Sequence, residues 1–166
     1  MASYGELLHS ISTAAINQIL REYNFTQWAF FVNEDEGLSG VAFANDQNFG
    51  MYTATDTDKL TLGAFGIVPI SDLYFQPGGQ TLNLQHKGEE AWHSVLLFTD
   101  ASRLGDDEQL LPNFDYSLTA TWRQYLRQRG MRLPPPKRPV ALKKIAVGFG
   151  VLLLLAIVFL LVYRPQ

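Results

Sequence analysis

The densest run of chemistry-bearing side chains in this 166-residue chain is His86-Lys87-Gly88-Glu89-Glu90-Ala91-Trp92-His93. On a helix, residues three and four apart share a face, so both histidines and a glutamate would converge, and imidazole with carboxylate suits a transition metal. Glu90-x-x-His93 also has the spacing used in di-iron helical bundles, where a second such element and further inward carboxylates complete the site. No second element of that kind is present here, and Gly88 among polar neighbours reads as the turn of a hairpin. Glu90 and His93 are therefore the only metal candidates, and the expectation is of no metal and no other cofactor.

Other chemistries find less support. Asp56-Thr57-Asp58 has the spacing of a metal-binding acidic pair but lies among threonines with no phosphate cradle. Neither Asn33–Gly37 nor Asp106–Glu108 has the alternating oxygen ligands and sharp glycine turn of a calcium loop. There is no Gly-x-Ser-x-Gly elbow to activate a serine, and Gly63 and Gly66 lack the rest of a phosphate-binding fingerprint. The chain has no cysteine, which excludes disulfides, thiolate zinc ligands and a thiol nucleophile. His9 falls within a helical pattern and suggests no chemistry. The expectation is of a protein that is not an enzyme, with no catalytic residue to name.

The elements that would position these residues follow from periodicity. Leu7, Leu8, Ile11, Ala15, Ile19 and Leu20 recur at helical spacing, predicting one amphipathic helix from Tyr4 to Glu22. Gln27–Val32 and Leu38–Ala44 are aromatic and β-branched runs around the turn Asn33–Gly37, a hairpin pattern. Phe49–Ala54 predicts a third strand. Leu60–Ile70 is apolar but broken by glycine, and its identity stays open; Pro69 argues only against a central strand there. After the turn at Pro77–Gly79, Thr81–His86 and Ala91–Thr99 predict a second hairpin around Lys87–Glu90. Phe114, Leu118, Trp122 and Tyr125 or Leu126 then define a second amphipathic helix ending near Gly130. The fold class expected is α+β, an antiparallel sheet of hairpins packed with N- and C-terminal helices.

Charge divides the chain. Residues 1–120 contain all 16 acids against Arg21, Lys59, Lys87 and Arg103, a balance of −12, whereas residues 121–166 carry nine bases and no acid. Eight of the nine, Arg123, Arg127, Arg129, Arg132, Lys137, Arg138, Lys143 and Lys144, precede Ile145–Tyr163, an uncharged run of 19 residues. At roughly 1.5 Å per residue that run spans the ~30 Å hydrocarbon layer of a bilayer. The expected division is thus a domain at 1–130, a proline-rich basic linker at 131–144, a transmembrane helix at 145–163 and a short far-side tail at 164–166. The excess of bases before the span orients the domain to the cytoplasm, and the few residues after it imply insertion once translation has ended. No signal peptide pattern precedes the domain.

These features point to a tail-anchored, single-pass adaptor or assembly subunit that displays an acidic protein-binding domain at the cytoplasmic face of a membrane complex. Its expected partners are membrane lipid, met by the basic segment Arg123–Lys144, and the basic surface of another protein, steered by charge. Nucleic acid, itself anionic, is not expected as a partner. Two alternatives are a small membrane-proximal ligand-binding module or enzyme using the aromatic sheet, and a homo-oligomer packed through the small residues Ala146, Gly148 and Gly150.

Overall fold

The computed structural model describes residues 8, 10–56, 59–99 and 116–136. The chain divides into compact units at 1–134 and 135–166, so the expected span at 145–163 lies outside the described residues. Among the described residues no helix is long and apolar enough to cross a membrane, which says nothing of a β-barrel.

The first unit is α+β, as its sequence pattern predicts. Helix α1 (Thr13–Glu22) precedes β1 (Gln27–Asn33), β2 (Leu38–Ala44), β3 (Asn48–Asp56) and β4 (Lys59–Pro69). A 3-10 turn (Ile70–Asp72) leads to β5 (Leu73–Phe75), β6 (Leu82–His86) and β7 (His93–Phe98), and α2 (Tyr116–Gln128) follows. All seven strands form one antiparallel sheet in the order β4-β3-β2-β1-β7-β6-β5.

That order dictates curvature. β4 and β5 are opposite edges, which in a flat seven-stranded sheet would lie roughly 29 Å apart at ~4.8 Å per strand. Only Ile70, Ser71 and Asp72 join them, a reach of about 15 Å at 3.8 Å per Cα step. The sheet therefore curls into a partly closed barrel. Ile70 anchors the crossing: its side chain is fully buried and its N–H donates to the Gln47 carbonyl at 2.8 Å.

Both faces of the curled sheet are covered, so its central strands are apolar at successive positions instead of alternating. One face presents Ala29, Phe31, Phe49, Leu84, Val95 and Leu97 to Trp122 and Leu126 of α2. The other presents Phe30, Val32, Phe43, Leu96 and Phe98 to Ile16 and Ile19 of α1, with Leu8 and Ile11.

The N-terminal helix expected from Tyr4 to Glu22 is not continuous. Ser12 is extended (φ −74°, ψ 145°) and its hydroxyl accepts from the Ala15 N–H at 3.2 Å, so it caps α1 and starts a new helix at Thr13. Serine competes for backbone hydrogen bonds in this way, which the hydrophobic spacing does not register.

The glycine-broken stretch is strand β4, and its glycines have a defined use. Gly50 pairs with Ile67 but Tyr52 already pairs with Leu62, so residues 63–66 bulge out of the ladder opposite Met51. Gly66 holds φ +61°, and a Cβ on Gly63 would sit 2.8 Å from the Met51 carbonyl oxygen. Pro69 ends the strand at an edge, where a missing N–H breaks no ladder.

The chain does not leave the domain at Gly130. Met131 is buried, the Arg132 N–H donates to the Leu73 carbonyl at 3.1 Å, and the Phe75 N–H donates to the Arg132 carbonyl at 3.0 Å. Arg132 thus adds a one-residue parallel bridge to edge strand β5.

Candidate functional site

The histidine-rich run forms a hairpin, and this changes which of its residues meet. Leu84 pairs with His93 across β6 and β7, and alternation puts His86 on the same face. The turn between them is tightly held: Gly88 takes φ +94°, the Glu89 N–H donates to the His86 carbonyl at 3.1 Å, and Gln85 Nε2 donates to the Glu89 carbonyl at 2.9 Å. Glu89, not Glu90, consequently faces the two imidazoles. Its Oε1 lies 3.9 Å from His86 Nδ1 and its Oε2 lies 3.9 Å from His93 Nε2. Glu90 is exposed in the following loop.

Two further residues arrive from distant sequence. The pairing of β1 with β7 brings the Asn33–Leu38 turn beside the start of β7, and Glu36 Oε1 approaches His93 Nδ1 to 2.7 Å. The approach is close but off the N–H axis, so among the described residues this nitrogen of a 6% exposed histidine has no aligned hydrogen-bond partner. The turn is shaped by Asn33, whose Oδ1 accepts from the Glu36 N–H at 3.2 Å. From the opposite side the β4 bulge carries Phe65 across the curled sheet. Its ring meets His93 edge-on at 4.8 Å and stacks on His86 at 6.4 Å between centroids.

The result is an alternation of carboxylate and imidazole, Glu36, His93, Glu89, His86, backed by one aromatic ring. Such an array alternates acceptor-only carboxylates with imidazoles that can donate or accept. Among the described residues no group of three or more His, Asp or Glu side chains is placed to hold a metal ion.

The basic residues of α2 and its exit are brought into the domain. Arg123 Nη2 donates to the carbonyls of Gly78 at 3.3 Å and Thr81 at 3.1 Å, and Thr119 Oγ1 donates to the Gln80 carbonyl at 3.0 Å. Together they fasten the β5–β6 turn onto α2. Arg129 pairs with Asp46 at 2.7 Å and lies 3.5 Å above the Tyr125 ring. The Arg127 guanidinium sits 5.4 Å from the Phe75 ring centroid. Arg132 acts through its backbone, as described. Lys137, Arg138, Lys143, Lys144, Ala146, Gly148 and Gly150 lie outside the described residues, as do His9 and Asp58.

A surface hollow beside α1 is separate from this cluster. It is an open groove of 510 Å³ between α1 and the edge strand β4, lined by Ile19, Glu22, Tyr23, Tyr52, Leu60 and Leu62 among others. The Tyr52 hydroxyl is buried there without a hydrogen-bond partner among the described residues. Burial, then the neighbouring Tyr23 phenol and the Glu22 carboxylate, raise its pKa above the ordinary tyrosine range.

The chain matches no protein family, no curated protein and no solved structure.

Proposed function

We propose that the protein is a membrane-tethered adaptor or assembly subunit whose domain presents an acidic surface to a basic protein partner. One observation carries this reading. The pairing of β1 with β7 sets two acidic turns side by side, Glu34-Asp35-Glu36 and Glu89-Glu90. Lys87 is the one base in these turns, and it lies 4.0 Å from Asp72. Meanwhile Arg123 and Arg129, two of the eight bases that precede the uncharged run, are engaged within the domain. Acidic charge at the sheet end is left to act outward, and in a field of this kind steering weakens as salt rises.

The uncharged run Ile145–Tyr163, with Lys137, Arg138, Lys143 and Lys144 before it, supports attachment to a bilayer with the domain on the cytoplasmic side. Full-length protein reconstituted in membranes is expected to retain its partner at low ionic strength and release it near 0.5 M salt, on the order of where a ~10 Å screening length has shrunk by half. The triple change Glu34→Lys, Asp35→Lys, Glu90→Lys leaves Glu36 and Glu89 in place and is expected to abolish that retention. Retention indifferent to both salt and charge reversal would count decisively against the acidic surface.

A further inference from the structure

We propose that the outer edge of β4 at Leu60-Thr61-Leu62, with the groove beside it, is the contact surface for a second copy of this chain, joined edge to edge about a two-fold axis at Thr61. The inference goes beyond the adaptor reading and holds whatever partner the acidic turns meet.

A sheet edge offers unpaired backbone groups to any extended strand, and proteins blunt it with bulges, prolines, charges or a covering segment. The two edges of this sheet are treated unequally. β5 receives the backbone of Arg132. On β4 the bulge at 63–66 and Pro69 interrupt the second half of the strand, but Leu60, Thr61 and Leu62 stay in regular register with Ala54, Thr53 and Tyr52. No described strand pairs with their outer side. Thr61 is exposed, and Leu62 is 56% exposed although the same face of the neighbouring strands packs under α1.

A second copy is the occupant because the surface complements itself. In antiparallel pairing centred on Thr61, this residue stands opposite its own counterpart, and Leu60 stands opposite Leu62 of the second copy, twice over. Leu60 and Leu62 pair with Ala54 and Tyr52, so all four leucines lie on the α1 face and meet as cross-strand apolar pairs. The charges follow the same symmetry. Glu22 and Lys59 both line the groove. Glu22 acts on Tyr52, the residue paired with Leu62, whereas Lys59 begins the strand, about 10 Å away along it. The two-fold axis turns the second copy end for end. Lys59 of the second copy then lies opposite Gly63, at the Leu62 end and toward Glu22, and the reciprocal pair forms at the other end.

The chain has no cysteine, so one introduced thiol reads the geometry. Directly opposed residues of an antiparallel pair have Cα atoms about 4.5–5.5 Å apart, within the ~4.4–6.8 Å that a disulfide spans. Full-length Thr61→Cys, oxidised in mild detergent, is expected to form a covalent dimer many-fold faster than Thr121→Cys, whose site is exposed on α2. Leu60→Cys mixed with Leu62→Cys should give the same dimer, and neither should do so alone. That pair serves if circular dichroism shows that Thr61→Cys does not fold. Lys59→Glu or Glu22→Lys, each added to Thr61→Cys, should slow dimerisation by roughly tenfold. Mixing these two chains should restore the rate, because unlike charges then face each other at both ends. The proposal is overturned if Thr61→Cys dimerises no faster than Thr121→Cys, the outcome when residues 145–163 alone associate or when the edge is built for a foreign strand. It is equally overturned if the mixture dimerises no faster than its components.

Discussion

Single residues in this domain are fixed by partners far away in sequence, and at Tyr52 the effect reaches the pH dependence of folding. Its side chain is 4% exposed, its hydroxyl has no partner among the described residues, and its pKa is raised by burial. Below about pH 10, the ordinary tyrosine value, the phenol is protonated in folded and unfolded chains alike, so it adds nothing to the pH dependence. Above that, the unfolded chain releases a proton that the folded chain retains, and stability falls as pH rises. Urea denaturation at pH 8 and pH 10.5 should show this loss in wild type and a smaller one in Tyr52→Phe. At pH 8 the variant should be as stable as wild type or more so, because an unpaired buried hydroxyl is removed. At this scale the sequence was partly legible. His86, Glu89 and His93 are visible as a string, but the string invites a helical reading in which Glu90 is the partner. Glu36, more than fifty residues upstream of His93, carries no local signal, since only the β1–β7 pairing brings it there. Phe65 is hidden for the same reason.

Elements were legible where one local signal dominates. The β1–β2 hairpin was plain because aromatic and β-branched runs flank the turn Asn33-Glu34-Asp35-Glu36-Gly37, and α2 because its stripe and Gly130 agree. Strand β4 was not, because Gly63 and Gly66 read as interruptions when they are the ends of a bulge. β5 was missed outright: three residues are too few for any periodicity to show, and pairing with β6 makes them a strand. Glycines within the sheet also differ sharply in what they tolerate. A Cβ on Gly40 would lie 1.9 Å from the Tyr52 carbonyl oxygen, whereas one on Gly66 meets nothing within 4 Å and suffers only from φ +61°. Gly40→Ala should therefore cost roughly 1–3 kcal/mol or more, as overpacking against a backbone does. Gly66→Ala should cost about 1–2 kcal/mol from its left-handed backbone alone. Urea midpoints measured on the pair would be expected in that order, and the reverse order would mean that β2 and β3 separate easily.

For the whole molecule, the division of charge seen in the sequence acquires a spatial meaning. Glu34, Asp35, Glu36, Glu89 and Glu90 meet at the turns of one sheet end, while Arg123, Arg127 and Arg129 contact the β5–β6 turn, an aromatic ring and Asp46. Counting charge along the chain groups those three arginines with the basic segment before the uncharged run; their side-chain contacts within the domain are invisible to counting. The bridge between Arg132 and β5 has a mechanical consequence. Two backbone hydrogen bonds to an edge strand mean that tension arriving along the chain after Pro134 loads the sheet edge before it reaches α2. The exit is a latch in the force path. Pulled from its C-terminus in an optical trap, the domain should yield first in a short, low-force release of this segment and only later as a whole. Arg132→Pro, which deletes the N–H given to Leu73, should erase the first event and leave the second.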